Sequence, residues 1–342
     1  MVMTANFETR ENLIDTKKDL QRLPKAELHL HIEGTFEPEL IFEMAAKNNV
    51  KLAYADVEAL RRAYDFADLQ SFLNVYYAGM SVLKDESDFE TLTNAYFARA
   101  QQDGIVHAEL FFDPQAHAAN GIAFDTVIRG LHQAVKTSKE KYGLTSSLIL
   151  CFLRDLDEDS AMQTLEKALK HRDKFIGVGL DSAEVGNPPS KFARVFARAK
   201  AEELRLVAHA GEEGPPEYVK QALDLLKVER IDHGVRSLED SELTKRLIDS
   251  GIPLTVCPLS NVKLKVFANL QEHNLKKMLD LGLNATVNAD DPAYFGGYLL
   301  ENFWQCKEAL SLSDQELVRL CRNSINASFM SASEKSLHLA NL

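Results

Sequence analysis

Eight short apolar runs recur along the chain, and they limit its fold more than any other feature. The first lies within 25–34, and the others are 105–112, 147–153, 175–180, 204–210, 230–233, 252–256 and 285–288. Stretches with helical spacing separate the later runs, at 124–141, 160–171, 190–203, 216–227, 239–250 and 275–281. Eight strands alternating with helices is the pattern of a (β/α)8 TIM barrel, with a doubly wound sheet as the competitor. No Gly-x-Gly-x-x-Gly follows any run, which weakens a dinucleotide-binding reading. The placement of polar residues favours the barrel, because barrel enzymes gather their functional groups at the C-terminal ends of the strands. His29 and His31 end the first run, and Asp181 and Glu184 follow the fourth. His209 and Glu212 close the fifth, His233 the sixth, Ser260 and Asn261 the seventh, and Asp290 and Asp291 the eighth.

Residues 1–22 are polar and weakly patterned and read as a surface arm with a short helix, leaving 23–342 as a single barrel domain. Between the first two runs only helical spacing appears, at 37–48, 56–63, 69–83 and 89–101. An excursion that long exceeds one crossover, so about 50–103 reads as a helical insertion forming a flap beside the site. After Pro292 the chain reads as extra C-terminal helices at 299–310 and 314–326 and a polar tail.

In the opening stretch Leu28, Leu30 and Ile32 alternate with Glu27, His29 and His31, the period of a strand. Two imidazoles about 7 Å apart on one strand face can converge on one cation, and Gly34 lets the backbone turn or approach a ligand closely. Three neutral imidazoles and one carboxylate suit Zn²⁺ with a position left open for water, although Fe²⁺ and Mn²⁺ take similar donors. His29, His31, His209 and one of the Asp290/Asp291 pair are the candidates, one ion per chain. The reaction then needs a general base to orient the water and a proton donor for the electrophile. His233 suits the first role and Glu212 the second. His107 and His117 read as structural, and without the histidines Asp290-Asp291-Pro292 would read as a helix cap and turn. His107-Ala108-Glu109 imitates half of a His-x-Glu and Pro-Cys-x-x-Cys zinc signature, but Pro-Cys-x-x-Cys is absent from the sequence.

The formal charge of −12, from 39 basic and 51 acidic residues, argues against a nucleic-acid partner and leaves a neutral base or nucleoside open. Cys151, Cys257, Cys306 and Cys321 form no Cys-x-x-Cys pair, and no apolar run nears the ~20 residues that span a membrane. Glu8, Arg10, Glu11 and Asp15 stand where a signal peptide would be apolar, so the expectation is a reduced, cytoplasmic protein.

Five motifs together resemble the adenosine/adenine deaminase family. They are His29-Leu30-His31-Ile32-Glu33-Gly34, His209-Ala210-Gly211-Glu212, Asp232-His233-Gly234, Cys257-Pro258-Leu259-Ser260-Asn261 and Asn288-Ala289-Asp290-Asp291-Pro292. The likeness runs from about 23 to 326, in order. It implies a metal-dependent barrel that removes the amino group from carbon 6 of a purine. It also implies His29, His31, His209 and Asp290 as zinc ligands, Glu212 as proton donor to ring N1, His233 as partner of the activated water, and Asp291 as a contact to substrate and water.

One departure bears on the choice of purine. Adenosine deaminases typically read Asp-Leu-Ala-Gly-Asp-Glu after the fourth strand, where this chain reads Asp181-Ser182-Ala183-Glu184-Val185-Gly186. Aligned on Asp181, Glu184 takes the place of a glycine that approaches N3. A carboxylate there could accept N9–H of adenine and exclude a sugar, and the segment resembles the microbial adenine-preferring branch. The expected reaction is therefore conversion of adenine to hypoxanthine and ammonia, with Glu184, Ser182, Gly34 and Asp291 as substrate contacts. Deamination of adenosine or an N6-substituted purine is the alternative, followed by a non-catalytic metal-binding barrel.

Overall fold

The structure is a computed structural model that describes residues 14–66 and 69–342. Most of the expected N-terminal arm, residues 1–13, lies outside the described residues. The short helix expected there is Lys17–Arg22, and Ile14 and Leu20 beside it are buried.

Eight parallel strands form one sheet in sequence order. They are β1 (Lys25–His31), β2 (Ile105–Phe112), β3 (Thr145–Leu153), β4 (Gly177–Asp181), β5 (Arg205–Ala210), β6 (Arg230–His233), β7 (Leu254–Val256) and β8 (Ala285–Val287). The sheet closes on itself where Leu30 bridges to Asp290. Asp290 N donates to His29 O at 3.1 Å, and His31 N donates to Asp290 O at 3.0 Å. The fold is therefore the expected barrel. Every residue of β1 is buried, so its histidines belong to the interior.

The alternation seen in β1 is interrupted. Glu27 pairs with Ala108 but Leu30 with Leu110, a slip of one residue that leaves Glu27 apart from the histidines. Its carboxylate instead accepts from Tyr96 Oη at 2.6 Å and Ala289 N at 3.1 Å.

The long excursion after β1 is helical, with Pro38–Lys47, Val57–Ala63, Leu69–Met80 and Glu86–Gln102. Phe72, Leu73, Tyr76 and Tyr77 of the third of these helices line the cavity at the barrel mouth, so the insertion does roof the site. Expected helix 216–227 is in fact Pro216–Gln221 followed by a π-type turn over Ala222–Leu226. The polar tail is also ordered, as helix Ala332–Leu339 with a Ser331/Glu334 capping box.

Three strand ends share one device. Asp113-Pro114, Cys257-Pro258 and Asp291-Pro292 each begin a short helix. The residue before proline is held out of the helical region. Accordingly Asp113, Cys257 and Asp291 share nearly one conformation, with φ −111, −120 and −117 and ψ 78, 81 and 74. Each strand thus stops abruptly, and two of these three caps are acids at the cavity.

Candidate active site

The strand ends deliver their polar side chains to one point. His29 Nε2 lies 3.2 Å from Asp290 Oδ1, and His31 Nε2 lies 3.5 Å from the same oxygen and 3.2 Å from His209 Nε2. His233 Nε2 is 3.5 Å from Glu212 Oε2 and 3.8 Å from Asp290 Oδ2. One donor atom each from His29, His209, His233 and Asp290 fall within 4.8 Å of one another. Three positions at these ends hold left-handed backbone without being glycine: Ser182 at φ 68, His233 at φ 63 and Asp290 at φ 65. Such conformations cost about 1–3 kcal/mol each and persist where the surroundings impose them, often at functional sites.

The outer hydrogen bonds decide which ring nitrogens are bare. Thr255 Oγ1 donates to Asp232 Oδ1 at 2.8 Å, so it accepts from His29 Nδ1 at 3.0 Å. His29 thus carries its hydrogen on Nδ1 and turns a lone pair inward from Nε2, which has no hydrogen-bond partner. His31 Nδ1 faces Asp181 at 3.5 Å and His209 Nδ1 faces Asp232 at 3.8 Å. Carboxylates behind ligating imidazoles orient such rings in metal sites. Burial opposes charge on two of these rings, pushing His31 down to about 4 and His209 well below its ordinary value. Burial opposes ionisation of Asp290, but the surrounding imidazoles, His29 foremost, outweigh it and hold this carboxyl well below its usual range. Neutral imidazoles around one ionised carboxylate are a donor set that fits a divalent cation.

Glu212 has the opposite character. Burial, reinforced by Asp290, Glu184 and Glu213, pushes its carboxyl well above the usual range and so favours the protonated acid. Burial and Asp290 raise Asp291 in the same way. A cavity opens over the cluster. Its polar wall is His31, Asp113, Asp181, Ser182, His209, Glu212, Asp290 and Asp291, and its apolar wall includes Phe72, Leu73, Leu264 and Phe295.

The six residues expected for metal and catalysis, His29, His31, His209, Asp290, Glu212 and His233, therefore meet, and Asp291, expected as a substrate contact, lines the same cavity. Ser182 lines the cavity with its Oγ 3.5 Å from Tyr77 Oη. The structure places two expected substrate contacts elsewhere. Glu184 is absent from the cavity wall, and its carboxylate is buried beneath the loop after β5. There it accepts four backbone N–H groups, from Gly211 at 2.7 Å, Glu212 at 3.0 Å, Glu213 at 2.9 Å and Gly214 at 2.8 Å. With its lone pairs so occupied it shapes the loop that carries Glu212. Gly34 likewise lies against Asp291, whose backbone and carboxylate a side chain at 34 would strike.

The sequence reading missed Asp113 and Tyr77 in the cavity wall. Asp113 follows a strand as the other site residues do, so its position was the available signal; Tyr77 sits among ordinary helical apolars and gave none. His107 and His117 are structural: His107 meets Thr145 and Glu109, and His117 meets Glu33. Glu109 forms a 2.6 Å ion pair with Arg230, both fully buried, so His107-Ala108-Glu109 has no part in the cavity.

An eight-stranded parallel barrel with β1 and β5 histidines facing a β8 aspartate defines a metal-dependent, amidohydrolase-like enzyme. The sequence profile described as adenosine deaminase matches residues 24–341, and the chain belongs to that family. It is 59% identical over 317 residues to an adenine deaminase of Rhodospirillum rubrum, covering 93% of this chain and 95% of that protein. With an adenine deaminase of Hahella chejuensis it shares 56% over 323 residues, covering 94% and 97%. The crystal structure of an adenine deaminase from Arthrobacter aurescens superposes with a TM-score of 0.92 at 52% identity, covering 93% of this chain and 98% of that one. A zinc-bound amidohydrolase from Burkholderia ambifaria gives 0.88 at 25% identity, covering 97% and 93%. No described helix is long and apolar enough to cross a membrane.

Proposed function

We propose that the protein hydrolyses adenine to hypoxanthine and ammonia, using one Zn²⁺ held by His29, His31, His209 and Asp290. The observation that carries this reading is a buried Glu212, 3.5 Å from His233, beside a cluster of His29, His209, His233 and Asp290 donor atoms. The relatives named adenine deaminase, at 53–59% identity, support the same substrate. A bound divalent cation would supply the Lewis acid that makes water nucleophilic at neutral pH.

The chain's own groups do the rest. Glu212 delivers its proton to ring N1, which lets the ring accept an electron pair as the oxygen of water bonds to carbon 6. Asp291 and His233 hold that oxygen on the cation side of the ring. Of the two protons of the water, one returns to the Glu212 carboxylate and the other passes to the amino nitrogen; the carbon–nitrogen bond at carbon 6 then breaks, ammonia leaves, and the 6-oxo purine remains. The aromatic roof from Leu69–Met80 covers the ring and limits access of bulk water.

Ultraviolet absorbance with adenine and adenosine, on a sample whose metal is quantified, tests the reading. Adenine should be preferred in kcat/KM by at least about 10²-fold, since polar sites reject ill-fitting analogues strongly. One zinc per chain is expected, with activity lost to a chelator and restored by Zn²⁺. Preference for adenosine would overturn the substrate assignment.

A further inference from the structure

Behind His233 runs a chain of hydrogen bonds in which every link has a defined direction. The backbone N–H of Leu275 donates to His273 Nδ1 at 3.1 Å. That nitrogen is therefore an acceptor, and the neutral ring carries its hydrogen on Nε2. Burial favours the neutral ring, pushing His273 down to about 3. His273 Nε2 lies 3.2 Å from Asn261 Oδ1 and donates to it. With its oxygen so engaged, Asn261 presents its amide nitrogen to His233 Nδ1 at 3.3 Å. An amide nitrogen only donates, so His233 Nδ1 accepts and the hydrogen of His233 sits on Nε2. All three side chains are buried. Asn261 is also fixed by its backbone, donating to Cys257 O at 2.9 Å and accepting from Val266 N at 2.8 Å.

We infer that Asn261 and His273 are positioning residues that lock His233 in its Nε2–H tautomer. Two consequences follow. The inward nitrogen of His233 has no lone pair to give a cation, so His233 drops out of the donor cluster and His31 completes the set. His233 also faces the reacting water as a hydrogen-bond donor, which orients the oxygen lone pair toward the substrate rather than removing its proton. Only the activity arm below rests on the proposed function.

The tautomer can be read directly from the ring nitrogen shifts of ¹⁵N-histidine-labelled protein, with His233 assigned through His233→Asn. Wild type should show a protonated Nε2 and a bare Nδ1, with and without zinc. Asn261→Asp replaces the donor by an acceptor, so the hydrogen should move to Nδ1. Its kcat on adenine should fall by about 10²-fold or more with KM and zinc content little changed. His273→Gln still offers Asn261 a donor and should stay within about tenfold of wild type, while His273→Phe should fall with Asn261→Asp. A wild-type Nδ1–H tautomer would overturn the inference, as would an Asn261→Asp protein with unchanged tautomer and kcat. If the variants fail to fold, the wild-type spectrum alone decides. If adenine is not the substrate, wild type lacks the activity too, and the spectrum still reports the tautomer.

Discussion

At the scale of single residues, the site works by setting neighbouring carboxyls to opposite states. Asp290 is held ionised by the imidazoles around it, while Glu212 is kept protonated by burial and by the acids beside it. In the proposed function the same environment would yield one ligand and one acid, the pattern that separates acid from base in many enzymes. Glu212→Gln keeps the shape and a hydrogen-bond donor but has no proton to transfer. Its kcat on adenine should fall by about 10²–10⁴-fold, with zinc content and Tm unchanged, as steady-state kinetics and metal analysis would show. Asp113 and Asp181 extend the theme at the cavity wall. Burial comes first among the causes that push Asp113 well above the carboxyl range and Asp181 to about 7.

At the scale of elements, the loop after β5 is as much a part of the site as the strands. Its four consecutive N–H groups converge on the Glu184 carboxylate, and the same loop carries Glu212. Glu184→Gln removes the charge and turns one acceptor into a donor facing those N–H groups. Amide exchange at 211–214 should accelerate, and kcat/KM should fall in equal proportion for adenine and adenosine. A loss confined to adenine would return Glu184 to the substrate edge that the sequence suggested. That earlier reading failed for a definable reason: nothing local reveals that a carboxylate is saturated by amides some 27–30 residues away. His273 was invisible on the same ground, since its role depends on Asn261, twelve residues earlier in the chain. The strands, by contrast, were legible. Parallel strands buried on both faces read as apolar runs, and their polar C-terminal neighbours stand out against them. The X–Pro caps at Asp113 and Cys257 went unread because the helices that follow span only six residues.

At the scale of the whole molecule, the barrel interior also carries a structural charge pair. Burial opposes ionisation of Glu109, but Arg230, with help from His107, outweighs it and brings the carboxyl down to about 2. The unfolded value is about 4.3, so the pair contributes stability above that pH and loses it as the pH falls toward 2. Glu109→Gln removes the 2.6 Å carboxylate partner of the buried Arg230 and leaves only Asp232, 3.7 Å from its Nε, at a cost of about 3–5 kcal/mol. Calorimetry should show a lowered Tm at neutral pH and a difference from wild type that shrinks between about pH 4.3 and 2.

The bridge between Leu30 and Asp290 gives the molecule a seam, because a closed sheet has one place where its last strand must find its first. That seam is made by the same short segments that contribute His29, His31 and Asp290. A cation held there, as the proposed function has it, would fasten the ends of the sheet together and link occupancy to closure. Any ion that binds the closed form more tightly than the unfolded chain raises stability with the logarithm of its concentration. Loading the enzyme and finishing the fold are then one equilibrium.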